Sequence, residues 1–308
     1  MSELKQIYQE LEQQRAKKFK AALTLFILGP LFMVIAAILF FVPIESDVVP
    51  ILSLVFFLIG VILLIVGFFI KGNFCKKVRV RMEKAVIRSL FPDSIYKENE
   101  GFELSFLLSP GFFAEPDRYY GDEFMKGTYK GISFQKAGYD LQKKQVTTDS
   151  KGHTIVNYVT YAKGTMYHFA FERNFNETVK ILEKQGVVSF GGLSAGLKKV
   201  ETEFIQFNKK FRINCSDETT VFYLLTPQVQ EQIMNLEEKY KGSFFLAFIN
   251  NSLFVAINDN GATVNIPFSK PISEETMRNV VEFYGTPALI IDSLKLDGNK
   301  YKANAGVK

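Results

Sequence analysis

Two runs without a single charged side chain set the terms for this chain: AALTLFILGPLFMVIAAILFFV at residues 21–42 and VVPILSLVFFLIGVILLIVGFFI at residues 48–70. As α-helices rising ~1.5 Å per residue, each is about 33–35 Å long, enough to cross a hydrocarbon layer of ~30 Å. A secretory signal has a shorter apolar core and a small-residue cleavage site. Here the first run is followed instead by PIESD and a second run. The linker Pro43 to Asp47 allows only a tight hairpin, so the spans are predicted to be antiparallel neighbours with both flanks on one side.

Those flanks are basic. Arg15, Lys17, Lys18 and Lys20 precede the first run, and Lys71, Lys76, Lys77, Arg79, Arg81, Lys84 and Arg88 follow the second. The hairpin tip carries only Glu45 and Asp47. Lys and Arg in short flanks stay on the cytoplasmic side, so the sequence predicts a multi-pass cell-membrane protein with both termini cytoplasmic. Lys17, Lys18, Lys20, Lys71, Lys76, Lys77, Arg79 and Arg81 are the expected orienting and lipid-contacting residues, with the bilayer as partner. Residues 1–88 hold 12 Lys or Arg and 6 acids, and residues 89–308 hold 25 and 26, so the net charge of +5 lies beside the spans. That balance offers no basic stripe for nucleic acid, and none is expected as a partner.

Four segments follow. Residues 1–20 form an amphipathic helix with Leu4, Ile7 and Leu11 at helical spacing, and residues 21–70 form the hairpin, with spans 21–42 and 48–70. Residues 71–92 form a helical stalk that ends near Phe91-Pro92. Residues 95–300 form an α+β cytoplasmic domain. In the spans, Gly60 and Gly67 share a face predicted to pack near Ala36 and Ala37. In the domain, GFELSFLL (101–108), GISF (131–134), IVNYVTY (155–161) and TMYHFAF (165–171) read as strands. Asn250-Asn251 reads as a hairpin turn, Thr226-Pro227 and Ser273 open helices, and Ala288 to Leu296 is a last strand. A glycine-rich connector at 186–196 divides this part into two subdomains. The fold class is therefore a two-helix transmembrane hairpin plus an α+β cytoplasmic domain, mostly antiparallel strands with a few helices.

Chemistry-bearing patterns are sparse. GLSAG at 192–196 matches a nucleophile elbow, but both histidines, His153 and His168, precede Ser194, and the residues after it alternate like a strand. A connector is the better reading. The two histidines lack zinc-ligand spacing, and Cys75 and Cys215 make no disulfide framework. Glu201 and Glu203 share one face of a solvated strand. No phosphate-binding or dinucleotide fingerprint occurs. No catalytic, cofactor-binding or metal residues are identified, and no cofactor is expected. The stretch PDRYYGDEFMKGT is different: Tyr119, Tyr120, Asp122, Glu123 and Phe124 make a candidate partner-binding loop, set against a hairpin whose aromatics fold inward.

Residues 70–296 resemble the DUF3137 domain family of bacterial membrane proteins, some of which carry the label galanin-like. The resemblance rests on Phe91-Pro92, YGDE (120–123) before Gly127, GTMYHFAF (164–171) before Phe175, VETEFIQFN (200–208), FRINCSD (211–217), YLLTP (223–227) and FINNSLFVAI (248–257). It is most specific in the latter half, and the first half departs from the common pattern. It implies two spans ahead of an α+β domain, no activity and no catalytic residues, and a membrane partner of the LemA type. The expected function is a membrane-anchored interaction or scaffold module facing the cytoplasm, partnered by such a protein or by itself. A ligand-sensing membrane protein and a membrane-tethered enzyme are the alternatives.

Overall fold

The computed structural model describes residues 2–41, 48–148, 152–184, 196–261 and 266–303. Two long helices come first, α1 (Ser2–Phe41) and α2 (Val48–Leu90). Then follow β1 (Ile95–Lys97), α3 (Leu104–Leu108), β2 (Arg118–Tyr129), β3 (Ile132–Thr148), β4 (Thr154–Ala170), β5 (Thr178–Glu183), β6 (Lys198–Val200), α4 (Ile205–Lys210) and β7 (Phe211–Cys215). The chain closes with α5 (Glu218–Leu224), α6 (Pro227–Lys239), β8 (Ser243–Ile249), β9 (Ser252–Asn258), α7 (Glu274–Tyr284) and α8 (Thr286–Leu294). These elements form two compact units, Met1–Leu90 with Val264–Tyr284, and Phe91–Thr263 with Gly285–Lys308.

In the first unit, the amphipathic segment and first apolar run are one helix, unbroken at Pro30, and the second run and stalk are another. Both helices are long and apolar enough to cross a membrane. They meet along buried residues that recur every seven positions: Ala22, Gly29 and Ala36 on α1, and Ser53, Gly60, Gly67 and Phe74 on α2. A seven-residue repeat keeps one seam facing the partner helix, and small residues there let the backbones close up. A Cβ on Gly60 would lie 2.7 Å from the Gly29 carbonyl oxygen and 2.7 Å from Met33 Cγ. Ser53 Oγ, buried in the seam, donates to the Ala36 carbonyl at 2.7 Å.

The glycine face is the one expected from the sequence, but its register differs. Gly60 meets Gly29 and Met33, Gly67 meets the Phe26 ring, and Ala36 meets Ser53. Folding a chain about a short linker places residues equidistant from that linker opposite one another, which pairs Gly60 with Gly29 rather than with Ala36.

The second unit is built on a nine-stranded antiparallel sheet in the order β1-β2-β3-β4-β9-β8-β5-β7-β6. Its central hairpin, β8–β9, turns at Asn250, whose φ of 53° suits a tight turn. Both strands are buried across their middle five residues. Such strands read as continuous apolar runs because both faces are covered. On one face Phe245, Ala247, Phe254 and Ala256 pack with Phe102, Leu107, Phe112 and Phe113. On the other, Tyr240 at the end of α6 stacks on Phe244 and its hydroxyl donates to Thr286 Oγ1 at the start of α8.

Two expected strands are helices. Residues 104–108 form α3, whose Leu107 is fully buried on the sheet face. Residues 286–294 form α8, opened by Pro287, with Ile290, Ile291 and Leu294 making one buried stripe. Short apolar runs carry no periodicity that separates strand from helix, and here the already complete sheet needed covering rather than extending. The alternation after residue 197 ends at Val200, and Glu201 and Glu203 lie exposed beyond it. Residues 185–195, with most of the glycine-rich connector and Ser194, lie outside the described residues. The strands flanking them, β5 and β6, join the one sheet, each next to β7, so the sheet runs on where two subdomains were expected.

Gly60→Ala is expected to lower the stability of the detergent-solubilised protein by about 1–3 kcal/mol through overpacking at the seam. Gly72→Ala, where a Cβ meets nothing within 4 Å, should be neutral or gain up to about 1 kcal/mol of helix propensity. Thermal unfolding of the two variants checks the contrast.

Candidate functional site

The helices leave their apolar runs at Lys20 on α1 and Lys71 on α2, and the junction holds two built features, both within the first unit. The first is a groove of about 630 Å³ between the helices. Its walls carry Lys17 and Lys18 from α1 and Lys77 and Arg81 from α2, and its floor includes Leu11, Phe74 and Val78. Arg81 is held at one end by a two-point pair with Glu10, 3.0 and 2.8 Å, and both side chains stay about half exposed. Lys20, Lys71, Lys76 and Arg79 do not line the groove. Of the eight basic residues expected at the membrane edge, the fold therefore gathers four around one concavity and leaves four outside it.

The second feature is a lock. The chain returns to α1 and α2 at 266–284, a stretch expected from sequence to lie inside the α+β domain. The Phe268 ring sits between Phe19 and Phe74, each at a centroid distance of 5.7 Å. The Arg15 guanidinium, its side chain 8% exposed, pairs with Glu12 at 2.7 Å and donates to the Phe268 carbonyl at 2.9 Å. Glu12 in turn accepts from the Ile272 amide at 2.9 Å, and the Tyr8 hydroxyl donates to the Ile272 carbonyl. The ion pair thus satisfies an amide and a carbonyl of an irregular segment that has no ladder of its own. Ser273 then caps α7 by accepting from the Thr276 amide at 3.1 Å. α7 packs on α2, burying Thr276, Val280 and Tyr284 on one face while α2 buries Val78, Met82 and Val86. The hydrogen bond from Arg15 holds the Glu12 carboxyl below its ordinary value.

The candidate partner-binding residues lie in strand β2 of the second unit. Tyr119 turns inward, its hydroxyl donating to the Phe102 carbonyl at 2.8 Å, and burial beside Asp122 pushes its pKa up to about 12. Phe124 packs edge-on to Phe102 against the core. Glu123 sits at a bulge with φ of 51° and pairs with the buried Lys136 at 3.7 Å. Tyr120 and Asp122 remain exposed, in a row with Arg118, whose guanidinium lies 3.4 Å from the Tyr158 ring centre.

Among the described residues, no group of three or more His, Cys, Asp or Glu side chains is placed to hold a metal. His168 is mostly buried between Phe106 and Phe254 with Nε2 3.1 Å from Ser252 Oγ, and burial lowers its pKa to about 4. Burial also raises the Cys75 and Cys215 thiols, which makes both poor nucleophiles. The lock was not foreseen from the sequence. Phe268 and Ile272 flanked by prolines were its one visible sign, and nothing local tied them to Glu12 or Arg15.

Residues 160–296 match the family model DUF3137, a protein of unknown function. This segment is similar to a DUF3137 domain. The match starts within β4 and ends just past α8, so the matched segment includes the 266–284 side of the lock and omits its α1 and α2 partners, both apolar runs and residues 119–124. It is shorter than the resemblance at 70–296. No curated protein matches the chain. The crystal structure of the mycobacterial trehalose monomycolate transport factor A, TtfA, is similar with a TM-score of 0.37 at 9% identity. That alignment covers 70% of this chain and 94% of TtfA, and a likeness this distant supports no functional conclusion.

Arg15→Met should leave the sheet intact but loosen the lock by about 2 kcal/mol, the scale of a charge-assisted hydrogen bond, so the Ile272 amide should exchange roughly thirtyfold faster. Hydrogen exchange across 266–284 measures this, and unchanged protection there would refute the role of Arg15. The lowered carboxyl of Glu12 gives the lock a pH dependence: its contribution is complete above the ordinary value of 4.5 and is lost as pH falls through the lowered one. Acid should therefore release 266–284 in the wild type and change little in Glu12→Gln.

Proposed function

We propose that this chain is a membrane-anchored module that faces the cytoplasm and acts by binding other proteins rather than by catalysis. One observation carries the anchor: the most apolar window of each long helix is only 11% buried. The core helix of a soluble protein hides its apolar side chains, whereas Ile27, Leu31, Val34, Ile38, Ile62, Ile65 and Phe69 here point outward. Only a hydrocarbon surrounding relieves so much exposed apolar surface. The basic flanks support a multi-pass arrangement with both termini inside.

The interaction role rests on the second unit. Its chemistry-bearing groups are engaged structurally: His168 is packed between rings, and Tyr119 holds a backbone carbonyl. Its exposed row of Arg118, Tyr120 and Asp122 has the aromatic-plus-charge make-up that protein partners use. The partner is a second membrane protein, of the LemA type or another copy of this chain.

In intact cells an impermeant protease should spare residues 71–308, while an impermeant thiol reagent should label Ser46→Cys. Digestion of the C-terminal part from outside would overturn the topology. Tyr120→Ala should change stability by less than about 0.5 kcal/mol while abolishing a specific in-cell crosslink from the neighbouring position 118. Crosslinking that is indifferent to Tyr120 would remove this row from the interface.

A further inference from the structure

We propose that the groove between α1 and α2 at the edge of the apolar runs is a binding site for the phosphodiester headgroup of an anionic phospholipid. The inference rests on the membrane reading above and deepens it from a diffuse attraction to a built site.

Position is the first argument. Phe69 and Ile70, the last residues of the second apolar run, line one end of the groove, and Arg81 lines the other. The twelve helical steps from Phe69 to Arg81 span about 18 Å. The near end thus lies at the hydrocarbon boundary and the far end passes through the headgroup layer, which adds about 5–8 Å per leaflet. Lys17 and Lys18 stand about one turn from the start of the first run at Ala21, and Lys77 about two turns beyond Ile70. A phospholipid has the same gradient, an apolar chain on one side of the boundary and an anion just beyond it.

Charge is the second. Lys17 and Lys18 on one helix and Lys77 on the other face a single space, and among the described residues no acidic side chain lines it. Lys77 and Arg81 share one face of α2 at a four-residue spacing. Like charges gathered around one apolar floor of Leu11, Phe74 and Val78 repel one another. An anion placed between them relieves the repulsion, and the Gln14 and Asn73 amides add neutral donors. Arg81 is already paired with Glu10, which leaves the three lysines as the anion's main ligands.

Generic surface attraction predicts something different. It depends on how many lysines lie near the bilayer and not on which ones. Lys20, Lys71 and Lys76 lie on the same helices at the same boundary, are exposed, and do not line the groove. They form an internal control of equal charge.

The test uses full-length protein in nanodiscs. Native mass spectrometry counts phosphatidylglycerol retained over phosphatidylcholine for the wild type, for Lys17→Gln/Lys18→Gln/Lys77→Gln, and for Lys20→Gln/Lys71→Gln/Lys76→Gln. The groove triple should lose about tenfold or more of the selectivity and the control triple less than about threefold. Equal losses in the two triples would overturn the site in favour of generic attraction. Inorganic phosphate added to discs of phosphatidylcholine alone separates the sources: binding there as tight as to phosphatidylglycerol would make this a free-anion site and overturn the lipid assignment. Flotation with liposomes of either composition reads the spans separately. A wild type that fails to float overturns the anchor and the lipid site together, whereas a wild type that floats without selectivity overturns the groove alone.

Discussion

The close approach of Gly29 and Gly60 sets the register of everything else in the helical unit. With no side chain at either position, the two backbones come near enough that an added methyl would collide with a carbonyl. Once that contact is made, helical geometry dictates the rest of the seam. Ser53 falls beside Ala36 toward the hairpin tip, and Gly67 beside the Phe26 ring toward the other end. Further along, Phe74 and Phe19 stand where both can contact Phe268. A slip of one turn would move Lys17 and Lys18 away from Lys77 and dissolve the groove they share.

The same helices change character along their length, and each part solves a different problem. Where they are apolar outside, the seam between them is built from small residues that let the backbones close up. Where they become charged, an apolar stripe on α2 persists, and α7 within the segment 266–284 packs against that helix. The lock uses a part-buried carboxylate–guanidinium pair because an irregular backbone brings unpaired amides and carbonyls with it. The chain passes between the two units at Leu90–Phe91, Thr263–Val264 and Tyr284–Gly285. The DUF3137 match is therefore not confined to one compact unit, since it takes in residues 266–284 as well as strands β5 to β9 and part of β4.

Much of the architecture was legible where periodicity ran long. The apolar runs, the β8–β9 hairpin, α6 and α7 each announced themselves through uninterrupted pattern, and α7 also through its Ser273 cap. Residues 104–108 and 286–294 did not, because a short apolar run suits a strand and a helix alike, and the choice fell to which surface of the sheet remained bare. In the candidate site, the basic residues were visible as a group. Their division into groove and outside was not, since it depends on which face of each helix turns toward the other.

Charge count and hydropathy are properties of the chain itself, so the sequence alone determined that two segments are long and apolar enough to cross a membrane and that cations flank them. Those features hold whatever the packing. Which glycine meets which, which lysines share one hollow, and that Phe268 would lodge between Phe19 and Phe74 were settled only by tertiary structure. Contacts between residues 31 to 249 positions apart depend on how both helices and a distant loop are jointly placed, and no local pattern records that.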